Sequence, residues 1–318
     1  MEVMVVHGGA GFWPRDRLEK GLKGVRRAVE EGFKELSSGG RALDAVELAV
    51  ACMEDDPVFN AGVGSALTLS GEVEAEASIM DGSTLSAGAV ALVRKVKNPV
   101  KLARLIMEKT DHVLLLGHVA EELARAWGLE EAELKTPERV ELWKKGLERL
   151  GKGKIIYFKK LPRLLEEHPW LLGGTVGAIA LDGEGRLAAA TSTGGLMLKL
   201  PGRIGDTPQI GAGTYADRWG ACSGTGIGEV AVKLGLARMA CIFMRVGLGA
   251  REAAQACMGL VLQEFPWAPM GVITLDKKGQ IGAAHTSERM CWAYMRTGMA
   301  EPFVSDRGVL VRGPSSGQ

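Results

Sequence analysis

Residues 173–195 constrain the fold more than any other part of the chain. They hold two apolar runs of strand length, TVGAIALD from Thr175 and LAAATSTGG from Leu187, on either side of a Gly-rich turn at 183–185. This pattern predicts a β-hairpin, which would bring the hydroxyl of Thr175 to the threonines and serine of 191–193 at one end of a sheet. An ordinary core hairpin with threonines at its rim fits the same pattern.

Length and composition indicate a globular protein. A chain of 318 residues with 46% hydrophobic residues can form one large α/β domain or two smaller ones. The net charge of +1 gives no reason to expect a nucleic acid or an anionic membrane as partner, and it favours a small neutral or zwitterionic substrate. The N-terminal apolar run stops at His7 and has no basic residue before it, so we do not expect a signal peptide.

The cysteines indicate a reducing compartment. They are odd in number and form no CxxC pair, which argues against a disulfide framework and against a zinc site. We therefore expect a cytoplasmic protein. Cys222 lies close to a candidate site segment, but we interpret it as a small buried hydrophobe. The five residues are Cys52, Cys222, Cys241, Cys257 and Cys291.

Three further motifs accompany the hairpin. The chain reads HGGAG from His7, DPVFNAGVGS from Asp56 and PGRIGDTP from Pro201. Together with the hairpin sequence, and in this order, they resemble the plant-type L-asparaginase and isoaspartyl peptidase family of N-terminal-nucleophile hydrolases. The resemblance runs from about residue 5 to about residue 300. Each motif alone is a weak signal, whereas the four together are highly specific.

The resemblance implies an α/β fold, a four-layer αββα sandwich, and self-cleavage between Gly174 and Thr175. Residues 1–174 and 175–318 would then be two halves of a single domain, and the resemblance implies a homodimer of such cleaved protomers. Residues 136–174 are rich in Lys, Arg and Glu with scattered Gly and Pro, which is typical of a solvated helix or a mobile linker. We expect an exposed linker that ends at the cleavage site, and a recognition patch is the alternative.

Thr175 can act as a nucleophile without a histidine. A threonine hydroxyl needs an adjacent base, and the α-amine freed by cleavage would supply one within the same residue, since such amines titrate near about 7.7–8.0. The glycines at 173 and 174 permit the close backbone approach that an N-to-O acyl shift requires. His7 either serves the site or is a satisfied buried histidine.

Further site residues follow from the resemblance. Thr193 would be a second hydroxyl beside the nucleophile, and Asn60 would lie near it. Thr225 and the N–H of Gly226 would form the oxyanion hole. The sequence from Ser223 also predicts the start of a helix, whose free N–H groups suit a developing negative charge.

Arg203 and Asp206 match the substrate clamp of the family. The guanidinium can hold an α-carboxylate in two parallel hydrogen bonds, and the carboxylate of Asp206 can accept from an α-ammonium. An ion pair without function is the alternative. The resemblance also implies a sodium ion held by backbone carbonyls of the loop from about Glu54 to Val63, with Phe59 and Ala61 between them, although a plain surface turn fits the pattern as well. We expect no other cofactor.

The predicted activity is hydrolysis of L-asparagine to aspartate and ammonia and cleavage of β-aspartyl dipeptides. A glycosylasparaginase and an uncleaved amino-acid-binding protein are the alternatives. Two departures from the family pattern leave the leaving-group side of the pocket open. Gly224 stands where a second Thr is often found, and Arg218-Trp219 follow Asp217 where smaller polar residues are common.

Overall fold

The computed structural model describes residues 1–149 and 174–312. Within these residues the helices are α1 (Arg15–Ser37), α2 (Ala42–Glu54), α3 (Pro99–Lys109), α4 (Gly117–Ala126), α5 (Pro137–Arg149), α6 (Gly228–Leu234), α7 (Leu236–Arg245) and α8 (Ala250–Glu264). The strands are β1 (Val3–Gly11), β2 (Ala75–Asp81), β3 (Ala87–Val93), β4 (Leu114–Leu116), β5 (Val176–Leu181), β6 (Leu187–Thr193), β7 (Thr214–Ala216), β8 (Gly220–Gly226), β9 (Met270–Asp276), β10 (Ile281–His285), β11 (Arg289–Arg296), β12 (Phe303–Ser305) and β13 (Val309–Leu310).

The larger sheet contains the predicted hairpin near its centre. Its eight strands have the order β12-β11-β1-β5-β6-β2-β3-β4. Strands β5 and β6 are antiparallel, with Val176 opposite Ser192 and Gly177 opposite Thr191. This register brings Thr175 alongside Thr193. The hairpin prediction is confirmed.

The smaller sheet has the order β13-β10-β9-β8-β7. Strand β8 pairs with β9 through Gly226, which lies opposite Met270. The sequence from Ser223 predicts a helix running to about Val246, and helices α6 and α7 confirm its later part. Its predicted start is wrong, because the backbone through Gly226 is held in a sheet ladder and helix α6 begins only at Gly228. Thr225 and Gly226 lie at the end of a strand.

The two sheets pack against each other and carry helices. Helices α1 and α2 contact the central strands of the larger sheet, α3 contacts β2 and β3, and α7 and α8 contact the smaller sheet. Alternation along β5 shows how the faces divide: Ala178 and Ala180 pack in the cluster on the helix side, and Ile179 and Leu181 pack in the cluster between the sheets. The chain is a mixed α/β protein.

The same alternation determines where the polar side chains of these strands point. Thr175 precedes β5 in the register of Ile179, and Thr193 on β6 has the register of Ala189, which packs between the sheets. His7 on β1 has the register of Val5 and faces the same space. The sequence therefore places the candidate nucleophile between the two sheets, at the end of the hairpin.

The first part of the predicted linker is a helix, as one of the two expectations had it, but this helix is not fully exposed. Residues Pro137–Arg149 form helix α5, in which Arg139 and Gly146 are buried and Trp143 packs on the core. The pattern of charges hid this packing, because long charged side chains on one face of the helix outnumber the apolar ones on the other. The remainder of the predicted linker, 150–173, lies outside the described residues.

The cysteines are all free, and Cys222 is fully buried in the apolar cluster between the smaller sheet and its helices. The prediction that it is a core residue is confirmed. Within residues 1–149 and 174–312, none of the helices has the length and apolar character that a bilayer crossing requires.

Candidate active site

Two threonine hydroxyls meet at the end of the hairpin. Oγ1 of Thr175 lies 3.4 Å from Oγ1 of Thr193, as the register of β5 and β6 requires. Their residues are only 5% and 3% exposed. Thr175 donates this hydrogen bond, and Oγ1 of Thr193 accepts a second one from the Gly195 N–H at 3.0 Å.

Asn60 does not contact Thr175 but holds the segment that follows Thr193. Its side-chain Nδ2 donates to the backbone carbonyl of Gly195 at 2.8 Å, and its backbone carbonyl accepts from the Gly194 N–H at 2.9 Å. Its Oδ1 accepts from the Ala66 N–H at 2.6 Å, so both ends of the side-chain amide are hydrogen-bonded and its orientation is fixed. We call Thr175, Thr193, Asn60 and Gly195 the nucleophile end of the site.

Gly174 packs directly on the Gly-rich end of β1. A Cβ built on Gly9 would lie 2.4 Å from Cα of Gly174, and a Cβ on Gly174 would lie 2.9 Å from the carbonyl oxygen of Gly8. Gly9 also has φ +113°, which favours glycine. Neither glycine can carry a side chain here, so the peptide before Thr175 is pressed against a second backbone.

A chain of buried hydroxyls runs between the sheets below Thr175. Oγ of Ser223 lies 2.9 Å from Nε2 of His7 and 2.8 Å from Oγ1 of Thr191, and Thr214 donates to Thr191 at 2.5 Å. Burial lowers the pKa of His7 to about 3, although a hydrogen bond with the Thr175 backbone opposes this shift. A histidine that stays neutral down to this pH is a poor general base near neutrality.

Thr225 and Gly226 lie across from the end of β1. The Ala10 N–H donates to Oγ1 of Thr225 at 3.2 Å, which leaves the hydroxyl proton of this fully buried residue available as a donor. Gly226 has φ +127°, and a Cβ there would lie 2.3 Å from the carbonyl of Pro269. Glycine is therefore required at this position.

Arg203 is held by a carboxylate that the sequence did not indicate. Its Nε and Nη2 donate to the two carboxylate oxygens of Glu229 at 3.0 and 2.9 Å. Burial opposes ionisation of Glu229, but the hydrogen bonds from Arg203 bring its pKa below the ordinary value. Glu229 occupies the edge of the guanidinium formed by Nε and Nη2. The N–H groups of Nη1 therefore remain for a ligand.

Asp206 lies beside Arg203 around Gly228. A Cβ on Gly228 would lie 2.8 Å from Nη2 of Arg203 and 2.9 Å from Oδ1 of Asp206. Oδ2 of Asp206 is buried and has no hydrogen-bond partner among the described residues. Burial raises the pKa of Asp206 to about 7, and Arg203 opposes the shift. We call Arg203, Asp206 and Glu229 the clamp end of the site.

A buried ion pair connects the two ends. Nζ of Lys199 lies 2.8 Å from Oε1 of Glu76, and both side chains are fully buried. The other oxygen of Glu76 accepts from the Gly205 N–H at 3.0 Å, next to Arg203. The same Nζ of Lys199 also packs against Gly195, since a Cβ built on Gly195 would lie only 2.7 Å from it. The pair fixes the segment between Gly195 and Arg203 against strand β2.

Backbone carbonyls of the loop that follows α2 accept hydrogen bonds from a buried guanidinium, that of Arg139. Nη2 of Arg139 donates to the carbonyl of Phe59 at 2.9 Å, and its Nε donates to the carbonyl of Gly64. The carbonyl of Glu54 accepts from the Val63 N–H at 2.8 Å. A pocket of about 120 Å³ lies against this loop and is lined by residues that include Asn60, Arg139 and Gly174.

The comparison with known proteins shows which family the chain belongs to. A sequence profile of the asparaginase family matches residues 1–304. The chain belongs to the asparaginase family. The plant-type L-asparaginases of Pyrococcus abyssi and Thermococcus kodakarensis are each 50% identical to it, over 95% of this chain and 99% of each relative. The isoaspartyl peptidase/L-asparaginase of Mus musculus is 46% identical, over 93% of this chain and 88% of its own.

Membership of the asparaginase family does not explain the two departures from the family pattern, Gly224 and Arg218-Trp219. The structure shows where each of them lies. Arg218 and Trp219 lie in the turn before β8, six residues and therefore about 20 Å of strand away from Thr225. Within this chain, strand β8 therefore separates them from Thr225. A Cβ on Gly224 would face the carbonyl of Gly213 at 3.7 Å and Oδ2 of Asp206 at 3.9 Å, so this position borders the clamp end.

Three contributors to the site of this asparaginase-family chain escaped the sequence interpretation. Glu229, the Glu76–Lys199 pair and Arg139 each act through a contact between residues far apart in the chain. Glu229 stands in the first turn of α6, and an acidic residue there suits a helix start without any further role. No spacing pattern links it to Arg203.

Proposed function

We propose that the chain is a self-cleaving threonine hydrolase that converts L-asparagine to aspartate and ammonia and cleaves β-aspartyl dipeptides. The observation that carries the proposal is the 3.4 Å contact between the hydroxyls of Thr175 and Thr193, directly after a glycine that is packed on another backbone. Relatives with 42–50% identity are named as L-asparaginases or isoaspartyl peptidases, which supports both activities.

Self-cleavage uses the same hydroxyl as turnover. Oγ1 of Thr175 attacks the carbonyl carbon of Gly174, the peptide C–N bond breaks, and the proton passes to the new amine. Water then hydrolyses the resulting ester and leaves a carboxylate on Gly174 and a free amine on Thr175. The pressed geometry between Gly9 and Gly174 supports this step, because it fixes the peptide next to the hydroxyl. Since Thr175 is 5% exposed, a substrate can reach it only after Gly174 has moved.

Turnover places an aspartyl head in the clamp end and its β-carbonyl at Thr175. Arg203 binds the α-carboxylate, and Asp206 accepts from the α-ammonium. The freed amine of Thr175 takes the proton of Oγ1 as the hydroxyl attacks the β-carbonyl, and Thr193 hydrogen-bonds the nucleophile. The protonated amine then gives its proton to the departing ammonia or amine as the substrate C–N bond breaks, and water hydrolyses the resulting ester, which releases aspartate and restores the hydroxyl. The hydroxyl of Thr225 and the N–H of Gly226 stabilise the oxyanion, and removal of one such donor typically costs a factor of about 10²–10³ in rate.

The finer points of architecture belong to the same proposal. We assign the two sheets with helices on their outer faces to the four-layer αββα sandwich, because the sheets contact each other and each carries helices. We further propose a homodimer of cleaved protomers, with 1–174 and 175–318 as its two kinds of subunit. Edge strand β4 exposes 37% of Leu114 and 42% of Leu116, which suits an interface. Five free cysteines support a cytoplasmic location.

A sodium ion at the loop after α2 is compatible with the residues present. Among the described residues, the carbonyls of Glu54 and Phe59 each accept one hydrogen bond and keep a second lone pair, and Oε2 of Glu54 is buried without a hydrogen-bond partner. The carbonyls of Glu54, Phe59, Ala61 and Val63 would hold the ion, which would stiffen the loop that carries Asn60. Replacing sodium by choline at equal ionic strength should then lower the melting temperature.

The proposal is tested on purified protein. Wild-type protein should give two bands on a denaturing gel, and the smaller one should begin Thr-Val-Gly-Ala. Thr175→Ala should stay one chain and release no ammonia from L-asparagine, whereas Thr175→Ser should retain part of both reactions because it keeps the hydroxyl. An uncleaved wild type with full activity would overturn the mechanism. An uncleaved, inactive wild type that binds amino acids would favour the binding protein, and turnover of glycosylated asparagine would favour the glycosylasparaginase.

A further inference from the structure

Arg139 is a buried cation with an unusual set of partners. It projects from α5, is 5% exposed, and donates to the backbone carbonyls of Phe59 and Gly64. Within residues 1–149 and 174–312 it forms no salt bridge. A desolvated guanidinium without a carboxylate is expensive, and an apolar side chain would dock α5 at lower cost.

The guanidinium provides what an apolar side chain cannot, a rigid fork that joins two carbonyls. Phe59 and Gly64 are the ends of a tight loop in which Gly64 has φ +94°. The N–H of Gly64 is in turn held by the carbonyl of Leu134 at 2.9 Å, just before α5. Hydrogen bonds from a charged donor are about twice as strong as neutral ones, so Arg139 fixes the curvature of this loop.

The fixed loop leads directly to the nucleophile. Asn60 follows Phe59 and donates to the carbonyl of Gly195, whose N–H donates to Thr193 at 3.0 Å. Thr193 in turn contacts the hydroxyl of Thr175 at 3.4 Å. The links from Asn60 to Thr193 are short, buried hydrogen bonds, and the last link, from Thr193 to Thr175, is a longer buried contact between hydroxyls.

We propose that Arg139 is a positioning residue of the reaction, whose guanidinium sets the loop of Phe59 to Gly64 so that Asn60 holds Thr193 beside Thr175. This inference rests on the proposed role of Thr175 as nucleophile. It assigns the residue to the nucleophile end alone, since none of these contacts involves Arg203 or Asp206. Arg139 should therefore affect the rate of bond breaking and leave the binding of the aspartyl head unchanged.

The test compares Arg139→Met and Arg139→Lys with Lys145→Ala, which removes an exposed cation from the same helix. On fully cleaved protein in one sodium buffer, Arg139→Met should lower kcat for L-asparagine by about 10- to 100-fold with KM unchanged, since small misplacements of reacting groups cost this much. Arg139→Lys should lose less, and Lys145→Ala nothing. Added guanidinium ion, below denaturing concentrations, should restore part of the kcat of Arg139→Ala.

A double-mutant cycle with Asn60→Ala separates positioning from plain stability. If Arg139 acts through Asn60, the double variant should lose no more kcat than Asn60→Ala alone. Wild-type kcat in Arg139→Met, losses that add to those of Asn60→Ala, or a kcat that only follows the unfolded fraction would each overturn the inference. Thr175→Ala is measured in parallel: activity there refutes the proposed function, whereas an inactive Thr175→Ala beside a fully active Arg139→Met refutes the role of Arg139 alone.

Discussion

The nucleophile end of the candidate site is built from neutral groups, whereas its clamp end is built from charged ones. Thr175, Thr193 and Asn60 interact through hydroxyls and amides. Arg203 and Asp206 lie in an array of ionisable side chains that also contains Glu229, Glu76 and Lys199. A neutral end can act on any carbonyl placed against it, including one of its own backbone. A charged end recognises only a ligand that brings charges of its own.

Charge balance indicates which kind of ligand would suit the clamp end. The two cations, Arg203 and Lys199, face the carboxylates of Glu229 and Glu76, and Asp206 remains as the one acid without a paired cation of its own. An α-ammonium would supply that cation, and the free edge of Arg203 would take the α-carboxylate. A zwitterion therefore completes the array with no net change in charge, which a neutral amide without these groups cannot do.

The largest expected effect concerns Arg203, whose replacement should impair turnover at the clamp end but leave self-cleavage at the nucleophile end intact. Arg203→Lys keeps the charge but cannot make two parallel bonds to Glu229 and also bind a ligand. Loss of a buried, hydrogen-bonded charge contact costs roughly 2–5 kcal/mol, so kcat/KM for L-asparagine should fall by a factor of roughly 30 to several thousand. Self-cleavage should proceed as in wild type, because the precursor carries no aspartyl head. Steady-state kinetics and a time course on gels measure both.

Two outcomes would contradict this separation. Arg203→Lys with the wild-type kcat/KM would remove Arg203 from the clamp. A variant that folds but no longer cleaves itself would show that the charged array also serves the nucleophile end.

The next effect should strike both reactions. Thr193→Val removes the hydroxyl beside Thr175 and keeps the shape of the side chain, so self-cleavage and turnover should both slow by about 10²-fold. Ser192→Ala is the matched control, because its side chain points to the opposite face of β6. If Thr193→Val slowed turnover alone, the two reactions would not share one nucleophile end.

A smaller effect is expected from pH at the clamp end. Burial raises the pKa of Asp206 to about 7, so its carboxyl is largely protonated below that pH and cannot accept from an ammonium as an anion. Binding of the product L-aspartate should therefore weaken by up to about tenfold for each pH unit below about 7 and level off above it. The inhibition constant of L-aspartate against pH measures this. A constant value from about pH 5 to pH 8 would show that Asp206 is already ionised.

The smallest effect is expected at Gly224, which borders Asp206. A Cβ there meets nothing closer than 3.7 Å, so Gly224→Ala should change kcat/KM by no more than about twofold and leave the melting temperature nearly unchanged. Gly213→Ala is the contrasting variant, because its Cβ would lie 2.8 Å from Oδ2 of Asp206 and should impair the clamp. Equal effects of the two substitutions would mean that Gly224 is closer to the ligand than the free space suggests.

More of the nucleophile end than of its surroundings could be predicted from the sequence. The alternation of apolar residues and the turn residues predict the hairpin. The hairpin alone brings Thr175 to Thr193, because the two strands that carry these residues are neighbours in the chain. Strand β8 could not be predicted from its own residues: the run of small residues from Ser223 is held extended by β9, which is far away in the chain. Arg139 and Glu229 were missed for the same reason. A side chain on a charged helix face gives no sign that its partner is a distant carbonyl or guanidinium.

The order of strands in the larger sheet decides what cleavage can and cannot separate. Strand β1, from before Thr175, lies between β11 and β5, which both come after it, and β2 is paired to β6 in the same manner. The two polypeptides of a cut chain would thus be interwoven through three backbone ladders of one sheet. They could part only by global unfolding, so subunits produced in separate cells should not reassemble on mixing, and the break would change chemistry at Thr175 without loosening the molecule.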